Sequence, residues 1–217
     1  MKFVVTAGPT REPLDPVRFI SNRSSGKMGY AIAEAAMEEG HEVTLISGPV
    51  CIEPPSGARL VQITTSDELH DAVRNAIGGS DVLVMSAAVA DYKPTKFAAQ
   101  KSAKQRDKFV IELQPTTDIL ASVASADRNF FVVGFAAETH ELEERALKKL
   151  HAKNCDMIVA NDVSRTDSGM ESDENEVVIF TRDGESQRIV RAQKKIIARE
   201  LVKKICIEAK KVLTKKS

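Results

Sequence analysis

The sequence predicts an α/β fold: a Rossmann-like, doubly wound, mainly parallel sheet with helices on both faces, extended by a C-terminal β-hairpin and closed by a terminal helix. Three observations carry this prediction. Short β-branched runs alternate with helical patterns along most of the chain. Two of those runs, 81–86 (DVLVMS) and 129–135 (NFFVVGF), are almost wholly apolar, as expected of strands buried on both faces in the middle of a parallel sheet. The segment 6–29, between the first strand and the first helix, carries a glycine-containing stretch where folds of this kind place a phosphate loop.

In chain order, 2–6 (KFVVT) is expected to be the first strand and 28–39 the first helix, with Ile32, Ala35 and Ala36 on one face. Strands follow at 42–47 (EVTLIS) and 60–64, and Thr65-Ser66-Asp67-Glu68 has the form of a capping box opening a helix that runs to Ile77. The two apolar strands come next, then a helix over 139–153 and a strand over 156–160 (DMIVA). Two regions break the rhythm. Residues 93–112 are polar and lysine-rich and are expected to form a flap ending in a short strand. Residues 176–191 have the pattern of a hairpin turning at Arg182-Asp183-Gly184. The final helix places Ile197, Leu201, Ile205 and Leu213 inward and its lysines, including the tail 210–216, in solvent.

Length and composition bound the function. At 217 residues the chain is expected to be one domain, 1–217, large enough to bury a core without disulfides or structural metal. Hydrophobic residues make up 42% and charged residues 29%, a globular balance. Lys plus Arg and Asp plus Glu are both 31, so the positive excess that displaces counterions from nucleic acid is missing, and nucleic acid is not an expected partner. No apolar run approaches a membrane span, and Met1-Lys2 leads straight into the first strand, so no signal peptide is expected. Cys51, Cys155 and Cys206 are odd in number and widely spaced, as for reduced thiols of a cytoplasmic protein.

The segment 6–29 (TAGPTREPLDPVRFISNRSSGKMG) is much longer than an ordinary βα connection, and Pro9, Pro13 and Pro16 stiffen it. In Ser24-Ser25-Gly26-Lys27-Met28-Gly29 the first glycine of G-x-G-x-x-G is a serine. Gly26 would let backbone N–H groups approach an anion, and Gly29 would let the helix pack closely on the sheet. The stretch is not a Walker loop, because Ser21 stands where the leading glycine belongs. It also fits a nicotinamide dinucleotide poorly, since the second strand ends in Ser47-Gly48 where a ribose-binding acid belongs. Arg11 and Arg18 either meet ligand or pair with Glu12 and Asp15 to pin the loop. The four histidines (His41, His70, His140, His151) fall on predicted helices or turns and are expected to be solvated. No Ser-His-Asp arrangement and no metal-ligand cluster stands out.

Four blocks in this order and spacing, FISNRSSGKMG, SAAVADYKP, VGFAAET and ANDVS, resemble the phosphopantothenate–cysteine ligase family, the synthetase half of the coenzyme A biosynthetic flavoproteins. The resemblance runs from Lys2 to the hairpin after Asn175. The flavin-dependent decarboxylase half often fused upstream is not in this sequence, so the expectation is a stand-alone enzyme or an excised domain that uses no flavin and works with a separate or fused decarboxylase.

The resemblance implies a two-step ligase acting on 4'-phosphopantothenate, cysteine and a nucleoside triphosphate with Mg2+, CTP ahead of ATP, and it implies a homodimer, with the hairpin 176–191 as candidate interface. It implies catalytic roles for Asn22, whose amide would hold the acyl-nucleotidylate, and for Lys101. Lys101 is the first lysine of a flap stretch that departs from the family pattern at Ala103. Implied nucleotide contacts are Gly8, Ser24, Gly26, Ser86, Ala87, Asp91, Lys101, the segment Gln114, Pro115, Thr116 and Thr117, the ring of Phe135, and the i,i+4 pair Lys149 and Lys153; implied substrate contacts are Asn22, Arg18, Ala87 and Ala88. Thr117 stands where the family often has proline, and the acidic stretch 164–176 lacks EF-hand spacing and is expected to be a solvated loop or subunit contact. An oxidoreductase on the same fold and a non-catalytic nucleotide-binding module remain the alternatives.

Overall fold

A computed structural model of the chain describes residues 1–101, 108–124, 128–138, 140–162 and 172–214. Among these, six parallel strands form the body of an eight-stranded sheet: β1 (Lys2–Ala7), β4 (Glu42–Ser47), β5 (Arg59–Gln62), β6 (Val82–Met85), β9 (Phe131–Glu138) and β10 (Met157–Asp162). The antiparallel hairpin β11 (Glu174–Thr181) and β12 (Ser186–Gln193) extends the β10 edge, and the spatial order is β12-β11-β10-β9-β6-β1-β4-β5. Counted by the parallel strands alone this is the 3-2-1-4-5-6 order of a doubly wound fold, whose direction of winding reverses between β1 and β6.

Alternation along the strands builds a core on each face. Phe3 and Val5, Val82 and Val84, and Phe131 and Val133 point to one side, where α1 (Lys27–Glu38) and the long α5 (Lys194–Thr214) cover them. Val4, Leu83, Val132 and Ile158 point to the other, under α2 (Ser66–Ile77), α3 (Ile119–Val123) and α4 (Leu142–Ala152). The Thr65 capping box forms as its spacing predicts, with the Glu68 N–H donating to the Thr65 hydroxyl and the Glu68 carboxylate accepting from the Thr65 N–H. Gly184 turns the β11–β12 hairpin at a positive φ of 90°. Under the β9–β10 end, Arg128 and Asp156 form a buried ion pair at 2.7 Å, and the same carboxylate accepts from the Val132 N–H.

Several expectations need correction. The segment 6–29 is not a plain loop but folds into a small hairpin of β2 (Arg11–Pro13) and β3 (Phe19–Ser21). The flap is bracketed by a pair of short strands, β7 (Tyr92–Pro94) and β8 (Leu113–Pro115), while its middle, 102–107, lies outside the described residues. The helix expected over 139–153 begins at Leu142, and α3 was not foreseen. At the start of the first helix Gly26 occupies the N-cap position at φ 78°. His41 is not solvated but stacks on Phe3 with ring centroids 5.1 Å apart, its Nε2 3.1 Å from the Cys206 sulfur, and His70 is likewise half-buried.

The three cysteines are free. Among the described residues no helix is long and apolar enough to cross a membrane. The tail lysines Lys210 and Lys211 are exposed as expected, and 215–217 lie outside the described residues, as does most of the acidic stretch 164–176.

Candidate active site

The cleft forms where the winding reverses. Beyond β1 and β6 the chain continues as two backbone segments that hold each other. The Ala88 N–H donates to the Gly8 carbonyl, the Thr10 N–H donates to the Ala88 carbonyl, and the Thr6 hydroxyl accepts from the Ala87 N–H. Gly8 bends this crossing at φ 72°. Gly29 sits on the first turn of α1 against β1; a Cβ there would lie 2.6 Å from the Ala7 Cβ and 2.9 Å from the Thr6 carbonyl oxygen, so only glycine lets the helix start this close to the strand.

Two adjoining lobes open along this floor. The first, about 300 Å³, is lined by Asn22, Ser24, Gly26, Lys27, Ser86, Ala87, Ala88, Asn161, Asn175 and Lys194, among others. The second, also about 300 Å³, is lined by Thr116, Thr117, Asp118, Ile119, Leu120 and Lys153. Ala87, Val89, Asp91, Phe135 and Lys149 border both. The lobes therefore share one wall, and a group bound in either can meet a group bound in the other there.

Individual side chains are held firmly. The Asn22 amide donates to the Val89 carbonyl at 2.8 Å, so its orientation across the first lobe is set by the segment after β6. The Lys149 ammonium donates to the Phe135 carbonyl at 2.5 Å, and burial pulls its pKa below the ordinary lysine range, partly offset by the Glu138 charge. The Cys155 thiol beneath it is pushed up to about 12 by burial and stays protonated. Lys153 is ion-paired with Asp118. Partial burial raises the Asp118 pKa, but hydrogen bonds from Lys153 and from the Ala121 N–H outweigh it, leaving Asp118 below its usual range. The Thr116 N–H and hydroxyl donate to the Asp91 and Ala90 carbonyls, tying the rim of the second lobe to the shared wall.

Of the expected contacts, Asn22, Ser24, Gly26, Ser86, Ala87, Ala88, Asp91, Thr116, Thr117, Phe135, Lys149 and Lys153 come together on this cleft. Five do not line it. Gly8 lies in the floor. Gln114 and Pro115 are exposed on β8, and Lys101 is exposed at the edge of the flap segment outside the described residues. Arg18 is folded back onto Asp15, its Nε 2.9 Å from the carboxylate, so the loop-pinning alternative describes it. Arg11 packs over Phe19 at 4.7 Å, and Glu12 accepts from the Ser66 N–H.

The end of the strand at Asn161, expected at the site face, lines the first lobe; sequence reasoning missed Lys27, Asn175 and Lys194 in that lobe and Asp118 in the second. Lys194 carried a readable signal. It falls on the apolar stripe with Ile197, Ala198, Leu201 and Ile205, and it opens a helix, where the macrodipole disfavours a cation. At the end of β4, where a ribose-binding acid would stand in a dinucleotide enzyme, the buried Ser47 accepts from the Tyr30 hydroxyl and donates to the Gly48 carbonyl.

The profile of the DNA/pantothenate metabolism flavoprotein C-terminal domain family matches residues 1–208. The chain is 43% identical over 208 residues to the coenzyme A biosynthesis bifunctional protein CoaBC of Bacillus subtilis, covering 95% of this chain and 51% of that protein. It thus spans about half the length of the curated relative it matches. The crystal structure of the C-terminal domain of a coenzyme A biosynthesis bifunctional protein CoaBC superposes with a TM-score of 0.80 at 43% identity, covering 94% of this chain and 93% of that one. A Cab2 mutant in complex with phosphopantothenate-cysteine superposes with a TM-score of 0.79, covering 100% of this chain and 89% of that one; at 17% identity the likeness is one of fold.

Proposed function

The chain belongs to the DNA/pantothenate metabolism flavoprotein C-terminal domain family, and on that premise we propose that it is a phosphopantothenate–cysteine ligase of coenzyme A biosynthesis. It joins 4'-phosphopantothenate to L-cysteine at the expense of a nucleoside triphosphate, CTP ahead of ATP. The observation that supports this reading best is the pair of lobes meeting at one wall of Ala87, Val89, Asp91, Phe135 and Lys149. A ligase of this kind must bring a phosphorylated acid and a nucleoside triphosphate to a single point and then admit an amine there.

In the first step a carboxylate oxygen of the acid attacks the α-phosphorus, the bond to the β-phosphate oxygen breaks, and pyrophosphate leaves. In the second, the cysteine amine attacks the acyl carbon, loses a proton and expels the nucleoside monophosphate. The protein's task is positioning and charge stabilisation, as in phosphoryl transfer generally. Lys149, on the shared wall, neutralises charge where the two substrates meet, and Lys153 acts deeper in the nucleotide lobe. The Phe135 ring offers a face to the base. Asn22, anchored on the Val89 carbonyl, retains a second N–H and its carbonyl oxygen for the acyl group and the incoming amine. Lys101 joins the triphosphate from the flap.

Among the described residues no three His, Cys, Asp or Glu converge on one point. Mg2+ fits this cleft as an ion held mainly by phosphate oxygens, with Asp91 the nearest carboxylate on the shared wall, and it would supply charge neutralisation of the leaving pyrophosphate. No flavin is needed for this chemistry. The flavin-dependent decarboxylation is assigned to a separate or fused partner.

We read the protein as a cytoplasmic homodimer. Exposed Val17, Phe19, Tyr92, Phe97, Phe109, Val110, Ile111 and Leu113 concentrate on the β2–β3 and β7–β8 hairpins and the flap, whereas the hairpin first considered, β11–β12, exposes only Val190 among large apolar residues. The two small hairpins, joined by the Ala98 N–H to the Leu14 carbonyl, are the better interface.

The test is pyrophosphate release with Mg2+ and 4'-phosphopantothenate, CTP against ATP. Release with CTP, and monophosphate and amide formed only when cysteine is added, is the expected result. Nucleotide binding without turnover under any combination would leave the non-catalytic alternative.

A further inference from the structure

Among the cleft residues to which the ligase reading gives no task is a buried lysine. Lys194 is only 5% exposed, yet it lines the first lobe and not the second. A lysine rarely accepts such burial unless its charge is used. Its backbone N–H is bonded to the Asp173 carbonyl, which fixes the start of α5 against the segment leading into β11. Lys27, the first residue of α1, lines the same lobe and reaches Asp173 with its ammonium at 2.6 Å. Two helices thus start side by side, each presenting a lysine to the same end of the lobe, and Asn161 and Asn175 add neutral polar groups beside them.

The charge balance is consistent with an anionic guest. Among the described residues that line it, the first lobe carries Lys27, Lys149 and Lys194 against one carboxylate, Asp91, while Lys27 and Lys194 also border a cavity with Glu34, Glu53 and Asp173. The Lys194 pKa is pulled down to about 8, by burial first and by the neighbouring Lys27 charge second, with Asp173 opposing. Asp173, 84% exposed on its side chain, is a solvated counter-ion that a bound dianion can supplement. Arg18, expected to serve the acyl substrate, is committed to Asp15 and does not reach this lobe.

We propose that Lys194 and Lys27 form a phosphomonoester subsite at the end of the first lobe, and that this pair selects the phosphorylated acyl substrate over the unphosphorylated acid. The inference rests on the ligase reading for the direction of the substrate: carboxylate toward the shared wall and Lys149, phosphate toward α1 and α5. A compact, strongly solvated ammonium kept largely from water gains most from a dianion, and a neutral alcohol at the same place would leave it without that gain.

The experiment compares wild type with Lys194→Gln and Lys27→Gln, using 4'-phosphopantothenate and pantothenate as alternative acids, with calorimetric binding of 4'-phosphopantothenate measured alongside turnover. Expected in Lys194→Gln is a rise of about 10- to 100-fold in KM for 4'-phosphopantothenate, with KM for nucleotide and cysteine unchanged and the preference over pantothenate reduced by the same factor. The half-exposed Lys27→Gln, which does not disturb a buried position, should shift the same constant in the same direction by less. An unchanged preference in both variants, or a rise confined to the nucleotide KM, overturns the subsite. If wild type binds 4'-phosphopantothenate, and Lys194→Gln binds it more weakly, while neither turns over, the subsite stands and the ligase reading falls. If wild type does not bind it, the subsite falls as well.

Discussion

Replacing Lys149 with methionine separates a catalytic cation from a structural one. Its ammonium donates to the Phe135 carbonyl at 2.5 Å and lies on the wall shared by both lobes, half-buried and with its pKa depressed by burial. A hydrogen bond from a charged donor to a phosphate is worth about 1.5–3 kcal/mol, so Lys149→Met should lower kcat/KM for nucleotide by about 10- to 150-fold. The fold should hardly notice. Methionine keeps the length and apolar contacts, removes a charge that is costly to bury, and forfeits one hydrogen bond to the Phe135 carbonyl at about 1 kcal/mol. Stopped-time pyrophosphate assays over a range of CTP, paired with thermal unfolding, read both quantities. A variant with unaltered kcat/KM for nucleotide would refute the role of Lys149, and one that lost activity in step with its melting temperature would make the lysine a structural prop.

Three further outcomes follow from the packing. Arg128→Ala strands Asp156 in the core beneath β9 and β10, and urea unfolding should show a loss of about 3–5 kcal/mol; a loss under 1 kcal/mol would mean that water reaches the pair. Gly29→Val must push its side chain into Ala7 and the Thr6 carbonyl, so about 1–3 kcal/mol should be lost together with nucleotide-dependent turnover, whereas Gly78→Val, at a negative φ where a Cβ meets nothing within 4 Å, should keep turnover intact. Lys194 gives a pH signature. Its folded pKa, about 8, lies below the ordinary 10.5, so the unfolded chain holds more protons between those values and stability gains from this group as pH rises through that window. Lys194→Met should therefore be more stable than wild type at pH 7, by up to about 3 kcal/mol, with the difference shrinking above pH 8. A difference independent of pH would show that the Lys194 ammonium titrates alike in the folded and unfolded chain and is not perturbed by burial.

The parallel strands were legible because burial on both faces leaves an uninterrupted apolar run, as in β6 and β9, and the α2 cap was legible because Thr65 and Glu68 satisfy each other locally. The β2–β3 and β7–β8 hairpins were not. Their strands are three residues long, and β2 is held partly by distant backbone, with the Arg11 N–H on the Thr64 carbonyl and the Thr10 N–H on the Ala88 carbonyl. The first lobe was half-legible for the same reason. Asn22, Ala87 and Asn161 sit in recognisable motifs, but Asn175 and Lys194 reach the lobe only because β11 and α5 begin there. The inward face of α5 contained the clue, a lysine four residues before Ala198 on a stripe that is otherwise apolar.

On the ligase reading the acid is activated on the α-phosphate, and oxygen transfer reads that step out. With 4'-phosphopantothenate labelled with 18O in its carboxylate, turnover with CTP and cysteine should leave one labelled oxygen in the CMP and none in pyrophosphate, because the attacking carboxylate oxygen departs with the nucleotide. Label appearing in inorganic phosphate, with CDP as the nucleotide product, would place activation on the γ-phosphate and contradict the account.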